Sequence, residues 1–289
     1  MFGVGYMEVI VGKSAGFCGG VFNSVSKTEK LLDENDKLYC LGELVHNQQV
    51  VDKLSGKGLK IIDSINNIHN EKVIVRAHGI PQEVYDTAKK NNIELIDLTC
   101  PKVLKIHDIA KEYVKNNYFI VLIAKKVHPE AIGTISYCGN DSYVLENEDG
   151  INDLVNVFNK SGKDKIAIIA QTTYSVSGFD KLVDLIKSSI NVDIVVDNTI
   201  CAATSIRQKE CAELSKEVDT MIIIGGKNSS NTKKLYEVAL TNCDNTIIVE
   251  TVDDLVIDDL KYSKKVGVMA GASTPKESID DVVNFLKGR

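Results

Sequence analysis

Long apolar runs are missing from this 289-residue sequence, and no stretch reaches the roughly 18 residues that a membrane-spanning helix needs. No signal-peptide pattern precedes the first predicted strand. An excess of positive charge is missing too: the net charge is −6, whereas general nucleic-acid binders present a basic surface. The composition, 44% hydrophobic and 26% charged, is that of a globular protein. We therefore expect neither a membrane nor a nucleic acid as a partner.

Cysteine is comparatively frequent, with seven residues and no secretion pattern beside them. This combination indicates a reducing compartment, where cysteines more often bind metal or stay free than form disulfides. We predict a cytoplasmic protein. Met7 is interpreted as a natural start, with residues 1–6 as an extension outside the fold.

Short β-branched segments alternate with helical patterns along the whole sequence. The segments are continuously apolar and flanked by polar residues or glycine, which is typical of parallel sheets covered on both faces. The predicted strands are Met7–Val11, Leu38–Leu41, Lys72–Val75, Ile93–Asp97, Phe119–Ala124, Lys165–Ala170, Val192–Val196, Thr220–Ile224, Asn245–Val249 and Val266–Ala270. Helical periodicity lies between them, for example after Cys100. The alternation predicts an α/β fold.

Three cysteines mark an internal repeat. Each directly follows a predicted strand and precedes a helix, in the segments EVIVGKSAGFC, IELIDLTC and DIVVDNTIC. A polar cluster follows 28 residues after each cysteine, at His46, His128 and Ser229. A second cluster follows a later strand, in RAHG, AQTT and AGAS. Here Thr172 and Ser273 lie 72 residues after their cysteines, and His78 lies 60 after its own.

These spacings predict three homologous α/β units that form a pseudo-three-fold ring around a central cluster cavity. Their predicted limits are 14–99, 100–200 and 201–289. The third unit ends in the predicted helix Lys276–Lys287 and lacks a closing strand, so the N-terminal strand within 7–13 should pair with the third unit and complete it. Because ligands bind at the carboxyl ends of parallel strands, both polar clusters of each unit should line the cavity.

Cys18, Cys100 and Cys201 are candidate ligands of one metal cluster. They are too far apart in sequence for a zinc ribbon or a ferredoxin motif, whose ligands lie close together. Three thiolates at equivalent positions can hold a [4Fe–4S] cluster and leave one iron without a protein ligand. The alternative is that all three are buried apolar residues. The remaining cysteines have no equivalents in the repeat and are predicted to be packing residues; they are Cys40, Cys138, Cys211 and Cys243.

The strand-end clusters also supply polar side chains. His46, His78 and His128 occur at related positions, which favours anion binding over a structural role, whereas His69 and His107 are predicted to be surface or structural residues. Glu130 is a candidate proton donor or a solvated loop residue. Neutral donors that suit phosphate oxygens, or that simply cap a helix, are Ser229, Ser230, Asn231 and Ser273.

One phosphate-binding motif is only apparent. Gly12-Lys13-Ser14 resembles the end of a P-loop, but Met7 stands where that loop requires its first glycine. A P-loop is therefore excluded.

Taken together, these blocks resemble the signature motifs of the 4-hydroxy-3-methylbut-2-enyl diphosphate reductase family, the terminal enzyme of the non-mevalonate isoprenoid pathway. The blocks are GFCGGV, ELVHNQQVVD, VRAHGI, LTCPKV, HPEAIGT, QTTYSV, ICAATSIRQ, KNSSNTKKL and AGASTP, and they follow the family's order from about Met7 onward. Two departures, Asn23 in place of a basic residue and residues 124–127 in place of a Gly-rich approach, bear on partner docking and loop shape, not on the chemistry.

The resemblance implies a [4Fe–4S] cluster on the three cysteines named above. It implies a diphosphate site formed by the three histidines, Ser229, Ser230, Asn231 and Ser273. Glu130 and Thr172 would be catalytic, with Gln171, Thr173 and Asn231 also near the substrate hydroxyl. Electrons would come from a ferredoxin or flavodoxin.

Two other functions remain open from the sequence. A quinolinate synthase-like dehydratase also combines three α/β units with a three-cysteine cluster, but it would need groups that bind dicarboxylates. A non-catalytic iron–sulfur redox sensor would need neither a matched acid nor an anion site.

Overall fold

The computed structural model describes residues 7–35, 37–260 and 263–288. The extension predicted at residues 1–6 lies outside the described residues. Twelve strands occur in this part of the chain: β1 Glu8–Val11, β2 Leu38–Leu41, β3 Leu59–Ile62, β4 Lys72–Val75, β5 Glu94–Asp97, β6 Phe119–Ile123, β7 Ser142–Leu145, β8 Lys165–Ala170, β9 Asp193–Val196, β10 Thr220–Ile224, β11 Thr246–Val249 and β12 Lys265–Ala270.

Ten helices alternate with the strands: α1 Gly19–Glu34, α2 Gln48–Gly56, α3 Gln82–Lys90, α4 Pro101–Lys115, α5 Pro129–Ile135, α6 Ile151–Ser161, α7 Val176–Ser189, α8 Ala202–Leu214, α9 Ser230–Leu240 and α10 Lys276–Lys287. Short 3₁₀ helices occur at Glu148–Gly150, Val252–Asp254 and Ile257–Leu260. The helices predicted after Cys100 and at 276–287 are both confirmed.

The strands form three four-stranded parallel sheets with one common order. The first sheet is β3-β2-β4-β5, the second is β7-β6-β8-β9, and the third reads β11-β10-β12-β1 in the same direction. The α/β class and the three-sheet organisation are therefore confirmed. All ten predicted strands are present, each within one residue of its predicted bounds.

The N-terminal strand pairs in the third sheet, as predicted. β1 runs parallel to β12 from Glu8 opposite Lys265 to Val11 opposite Val268. It takes the place that β5 and β9 hold in the other two sheets. The residue limits proposed for the repeats stay predictions.

Burial explains why the central strands were visible in the sequence. Every residue of β6 and β10 is buried, so their sequences are continuous runs of apolar residues. The two strands not predicted, β3 and β7, lie at sheet edges and are largely half-buried.

The chain divides into two compact units. The smaller unit contains the described residues up to Phe22, Val45–Lys53 and the described residues from Ala202 onward, and it carries the third sheet. The larger unit comprises Asn23–Leu44 and Leu54–Cys201 and carries the first two sheets. Among the described residues, no helix has both the length and the apolar character needed to cross a lipid bilayer.

Candidate active site

The three repeat cysteines share one local geometry. Each lies just after an edge strand, immediately before a helix, and its backbone N–H donates to a carbonyl in the turn that follows the neighbouring strand. The bonds run from Cys18 to Ala272 (3.2 Å), from Cys100 to Ala77 (3.0 Å) and from Cys201 to Thr172 (3.0 Å). The repeat deduced from spacing is therefore also a repeat of hydrogen bonds.

Exposure separates the cysteines into two groups. All seven lie in the described part of the chain, and none forms a disulfide. The three repeat cysteines are partly exposed, whereas Cys40, Cys138, Cys211 and Cys243 are buried. Burial raises the pKa of three of these buried thiols, Cys40, Cys138 and Cys211, to about 12. The packing role predicted for the buried group fits, and the three partly exposed thiols are the ones suited to bind a metal.

The turns after β4, β8 and β12 correct one equivalence drawn from spacing. Each turn closes with a backbone hydrogen bond across three residues: Gly79 to Arg76, Tyr174 to Gln171 and Thr274 to Gly271. His78, Thr173 and Ser273 therefore occupy the same position in their turns. Thr172, which the 72-residue count matched with Ser273, corresponds instead to Ala272, because the two connecting segments differ in length.

The helix starts correct a second equivalence. His128 caps α5 by accepting the N–H of Glu130 at Nδ1 (3.2 Å), and Ser229 caps α9 by accepting the N–H of Thr232 (3.3 Å). At α2 the capping acceptor is Asn47, whose Oδ1 accepts the N–H of Val50 (3.2 Å). His46 thus precedes the cap instead of forming it. An Asn before a helical segment is a common cap, so the sequence did contain this signal.

Glu130 and Thr172 form the most tightly bonded pair of the larger unit's site. The N–H and the hydroxyl of Thr172 donate to the two carboxylate oxygens of Glu130, each at 2.6 Å. Glu130 is only 2% exposed, and its burial raises the pKa to about 7, although the Thr172 hydrogen bonds act to lower it. Glu130 is therefore not a solvated loop residue. It is a carboxylic acid able to hold or release a proton near neutral pH.

The same threonine joins this acid to a cysteine. The carbonyl of Thr172 accepts the N–H of Cys201, while its N–H and hydroxyl face Glu130. Thr172 therefore links the acid to the backbone of one of the three partly exposed cysteines.

Other predicted residues of the larger unit flank this pair. The rings of His78 and His128 meet edge to face, with centroids 5.4 Å apart. The Gln171 side-chain amide donates to the Thr173 hydroxyl at 2.8 Å, and its oxygen accepts the N–H of Lys125 at 3.1 Å. Two imidazoles, an amide and a hydroxyl therefore lie at the ends of β4, β6 and β8.

The smaller unit contains a second group of predicted residues. The Ser273 hydroxyl donates to the carbonyl of His46 at 3.0 Å. Gly226 approaches the same carbonyl so closely that a Cβ there would lie 2.6 Å from the oxygen. Ser229, Ser230 and Asn231 follow at the buried start of α9. The structure thus brings His46, Ser273 and the α9 N-terminus together, where helix N–H groups favour an anion.

Asn231 is unusual within this group. It is 4% exposed, and neither atom of its side-chain amide has a hydrogen-bond partner within the part of the chain that the structure describes. Burying an unpaired amide costs about 1–3 kcal/mol, and a bound ligand is one partner that would offset this cost. Among Ser229, Ser230 and Asn231, only Ser229 caps α9.

Two histidines set aside in the sequence lie elsewhere. His69 is exposed. His107 is buried and stacks on Tyr137 with ring centroids 4.2 Å apart, and burial lowers its pKa to about 4. Both predictions, of surface or structural roles, are confirmed.

A family model described as "LytB protein" matches residues 9–287, which span all twelve strands except the first residue of β1. The chain belongs to the LytB protein family. Its curated relative from Alkaliphilus oremlandii, named 4-hydroxy-3-methylbut-2-enyl diphosphate reductase, is 41% identical over 283 residues, covering 97% of this chain and 99% of the relative.

Solved LytB-type structures share the fold. The reductase from Plasmodium falciparum, described as E-1-hydroxy-2-methyl-but-2-enyl-4-diphosphate reductase, matches with a TM-score of 0.88 at 30% identity, covering 96% of this chain and 87% of that one. A structure described as the terminal enzyme of the non-mevalonate pathway matches with a TM-score of 0.70 at 36% identity, covering 98% and 100%.

LytB membership distinguishes between the functions left open by the sequence. The relatives carry the name of the reductase that the motifs resembled, and they support neither a quinolinate synthase nor a redox sensor.

Proposed function

We propose that this LytB protein is an oxidoreductase that removes the hydroxyl group of (E)-4-hydroxy-3-methylbut-2-enyl diphosphate and produces isopentenyl and dimethylallyl diphosphate. The observation that carries this proposal is the Glu130–Thr172–Cys201 arrangement, in which a buried acid with a pKa of about 7 is bonded to the residue that anchors a cysteine. Loss of a hydroxyl group requires both electrons and a proton. Glu130 would supply the proton, and a cluster held in part by Cys201 would supply the electrons.

Cys18, Cys100 and Cys201 would together hold a [4Fe–4S] cluster. Support comes from their common hydrogen-bond geometry and from their partial exposure, which contrasts with the burial of the other four cysteines. Thiolates are the ligands that such clusters prefer. When bound, the cluster supplies electrons and a Lewis-acidic iron for the substrate oxygen. A ferredoxin or flavodoxin is the proposed electron donor, and the reducing cytoplasm the proposed location.

Glu130 acts as the proton donor in this proposal, with Thr172 as the residue that fixes and connects it. The two hydrogen bonds from Thr172 hold both carboxyl oxygens, so the acid cannot rotate freely. Gln171 and Thr173 would orient the substrate hydroxyl. Burial keeps water from this acid and keeps its pKa near the working pH, where general acids are most effective.

The diphosphate would be bound by side chains that are neutral or able to switch charge. The proposed donors are His46, His78, His128, Ser229, Ser230, Asn231 and Ser273. Support comes from the unpaired amide of Asn231 and from the α9 N-terminus beside Ser273 and His46.

The decisive experiment uses anaerobically purified, iron-loaded protein and a reduced viologen dye. Dye oxidation should depend on the allylic diphosphate and should yield the two isomeric diphosphates, identified by mass spectrometry. A cluster-containing protein that oxidises the dye equally with and without this substrate, or not at all, would contradict the proposal and favour a sensor.

The reaction rate is expected to fall as pH rises through about 7. Burial raises the pKa of Glu130 above its ordinary value, so the acid form is present below about pH 7 and is lost above it. A pH–rate profile with the dye as electron donor measures this decrease in rate. Glu112→Gln, which changes an exposed carboxyl group on α4, should show the same decrease. A flat wild-type profile between about pH 6 and pH 8 would exclude Glu130 as the titrating acid.

Asn231→Ala is expected to weaken substrate binding about tenfold or more without lowering stability. A hydrogen bond to a charged group is worth about 1.5–3 kcal/mol, whereas an amide without partners adds no hydrogen bond to the unliganded fold. Calorimetric titration and thermal melts of one variant measure both effects. Asn242→Ala is the matched control, because Asn242 bonds to Ser215 (3.2 Å) and lies on the surface. A lower melting temperature with unchanged affinity would make Asn231 structural.

A further inference from the structure

The turn that resembles a P-loop binds an anion from its own chain. The backbone N–H groups of Lys13 and Ser14 donate to the two carboxylate oxygens of Glu210, at 2.6 Å and 2.8 Å, and the Ser14 hydroxyl donates to the same carboxylate. Burial acts to raise the pKa of Glu210, but these hydrogen bonds outweigh it and the pKa is lowered. The position where a P-loop would hold phosphate is filled by a side chain of α8.

Arg207, one turn earlier on α8, donates to backbone carbonyl groups of the same segment. Its Nε donates to the carbonyl of Ser14 at 2.8 Å and its Nη2 to the carbonyl of Gly16 at 2.9 Å, while Nη1 reaches the carbonyl of Ala203 at 3.3 Å. The side chain is 3% exposed. A buried guanidinium is retained only where its donors are satisfied, and here they bind the segment that leads to Cys18.

The opposite side of this segment is attached to β12. The N–H groups of Gly12, Gly16 and Cys18 donate to the carbonyls of Val268, Ala270 and Ala272. Gly12 has no room for a side chain, since a Cβ would lie 2.1 Å from the Met269 sulfur. The segment from Gly12 to Cys18 is therefore held between a strand on one side and α8 on the other.

We propose that Arg207 and Glu210 are positioning residues that hold Cys18 in the orientation needed for cluster binding. This inference rests on the proposed function, because it takes Cys18 as a ligand. Neither residue touches the reacting atoms. α8 begins at Ala202, directly after Cys201 in the chain, so the helix that follows one proposed ligand orients the segment that carries another.

The equivalent segments before the other two cysteines are shorter. Between the end of β1 and Cys18 the chain has six residues, whereas two separate β5 from Cys100 and four separate β9 from Cys201. The longer segment has more backbone freedom to lose, which is why a dedicated pair of charged side chains is needed there.

The test compares Glu210→Gln and Arg207→Lys with Glu213→Gln, which changes an exposed carboxyl on the same helix. The first readout is the rate of iron loss from the iron-loaded protein to a chelator. The second is the alkylation rate of Cys18 relative to Cys100 in the iron-free full-length chain, followed by peptide mass spectrometry. We expect both rates to rise about tenfold in the first two variants, through local opening, with the Cys100 rate unchanged.

The proposal is overturned if Cys18 is alkylated at the wild-type rate in both variants, or if the Cys18 and Cys100 rates rise together, which would indicate general loosening of the fold. Glu210→Asp, which keeps the charge, should restore part of the protection. Failure of the proposed function would give a different result from failure of this inference. The wild-type protein would then hold iron, and its Cys18 would be alkylated more slowly than in the two variants, but it would not reduce the allylic diphosphate.

Discussion

Glu130→Gln is expected to reduce turnover at least about a hundredfold while iron content and substrate binding are preserved. General acid catalysis is typically worth about 10²–10⁴-fold. Glutamine keeps the size of the side chain, and its amide oxygen can still accept one hydrogen bond from Thr172. It cannot supply a proton for the departing hydroxyl. Thr172 cannot replace it, because a threonine hydroxyl does not ionise near neutral pH.

Two measurements on the same Gln variant test this expectation. The steady-state rate reports the proton transfer, and the substrate-induced change in the cluster spectrum reports binding. Glu112→Gln should match wild type in both. Turnover within a few-fold of wild type would assign the acid role elsewhere, for instance to the diphosphate of the substrate. Loss of substrate binding would make Glu130 a positioning residue.

Replacing Cys18, Cys100 or Cys201 with serine is expected to remove most of the cluster and the activity. A hydroxyl group is a poor iron ligand beside a thiolate, because it is hardly ionised at neutral pH. Since three protein ligands hold the cluster in this proposal, the loss of one leaves two. The common hydrogen-bond geometry of the three cysteines predicts similar losses at each position.

The buried cysteines provide the controls. Cys40→Ser and Cys243→Ser should leave iron per folded chain close to wild type, although a hydroxyl buried without a partner costs about 1–3 kcal/mol of stability. Iron and labile sulfide analysis after anaerobic reconstitution measures the result. If Cys40→Ser lost its cluster as completely as Cys100→Ser, the assignment of ligands would be wrong.

Much of the architecture could be predicted because strands buried on both faces consist of apolar residues. The fully buried strands β6 and β10 are continuous apolar runs. The missing closing strand of the third unit led to the prediction that the N-terminal strand pairs in the third sheet, and β1 pairs there with β12. The edge strands β3 and β7 were not predicted, although the other four edge strands, which are equally short and partly exposed, were.

The spacing of the repeat located the turns that carry the candidate site residues but did not give their alignment. Counting from the cysteines located the turns, yet it matched Thr172 with Ser273, where the hydrogen bonds match Thr173 with Ser273. A spacing cannot reveal how a turn closes. The bonds between Glu210 and residues 13 and 14 were also invisible, since they join positions almost 200 residues apart and depend on the folded sheet.

The pairing of β1 with β12 also constrains how the protein is made. Glu8 and Lys265 are opposite each other although 257 positions separate them in the chain. At a synthesis rate of about 5–20 residues per second, β1 is made more than about ten seconds before β12. The segment that carries Cys18 takes both of its anchors, β12 and α8, from late parts of the chain. The first and second sheets can form while translation continues, but the third cannot. In the proposed function, binding of one cluster by all three cysteines would therefore follow the synthesis of β12.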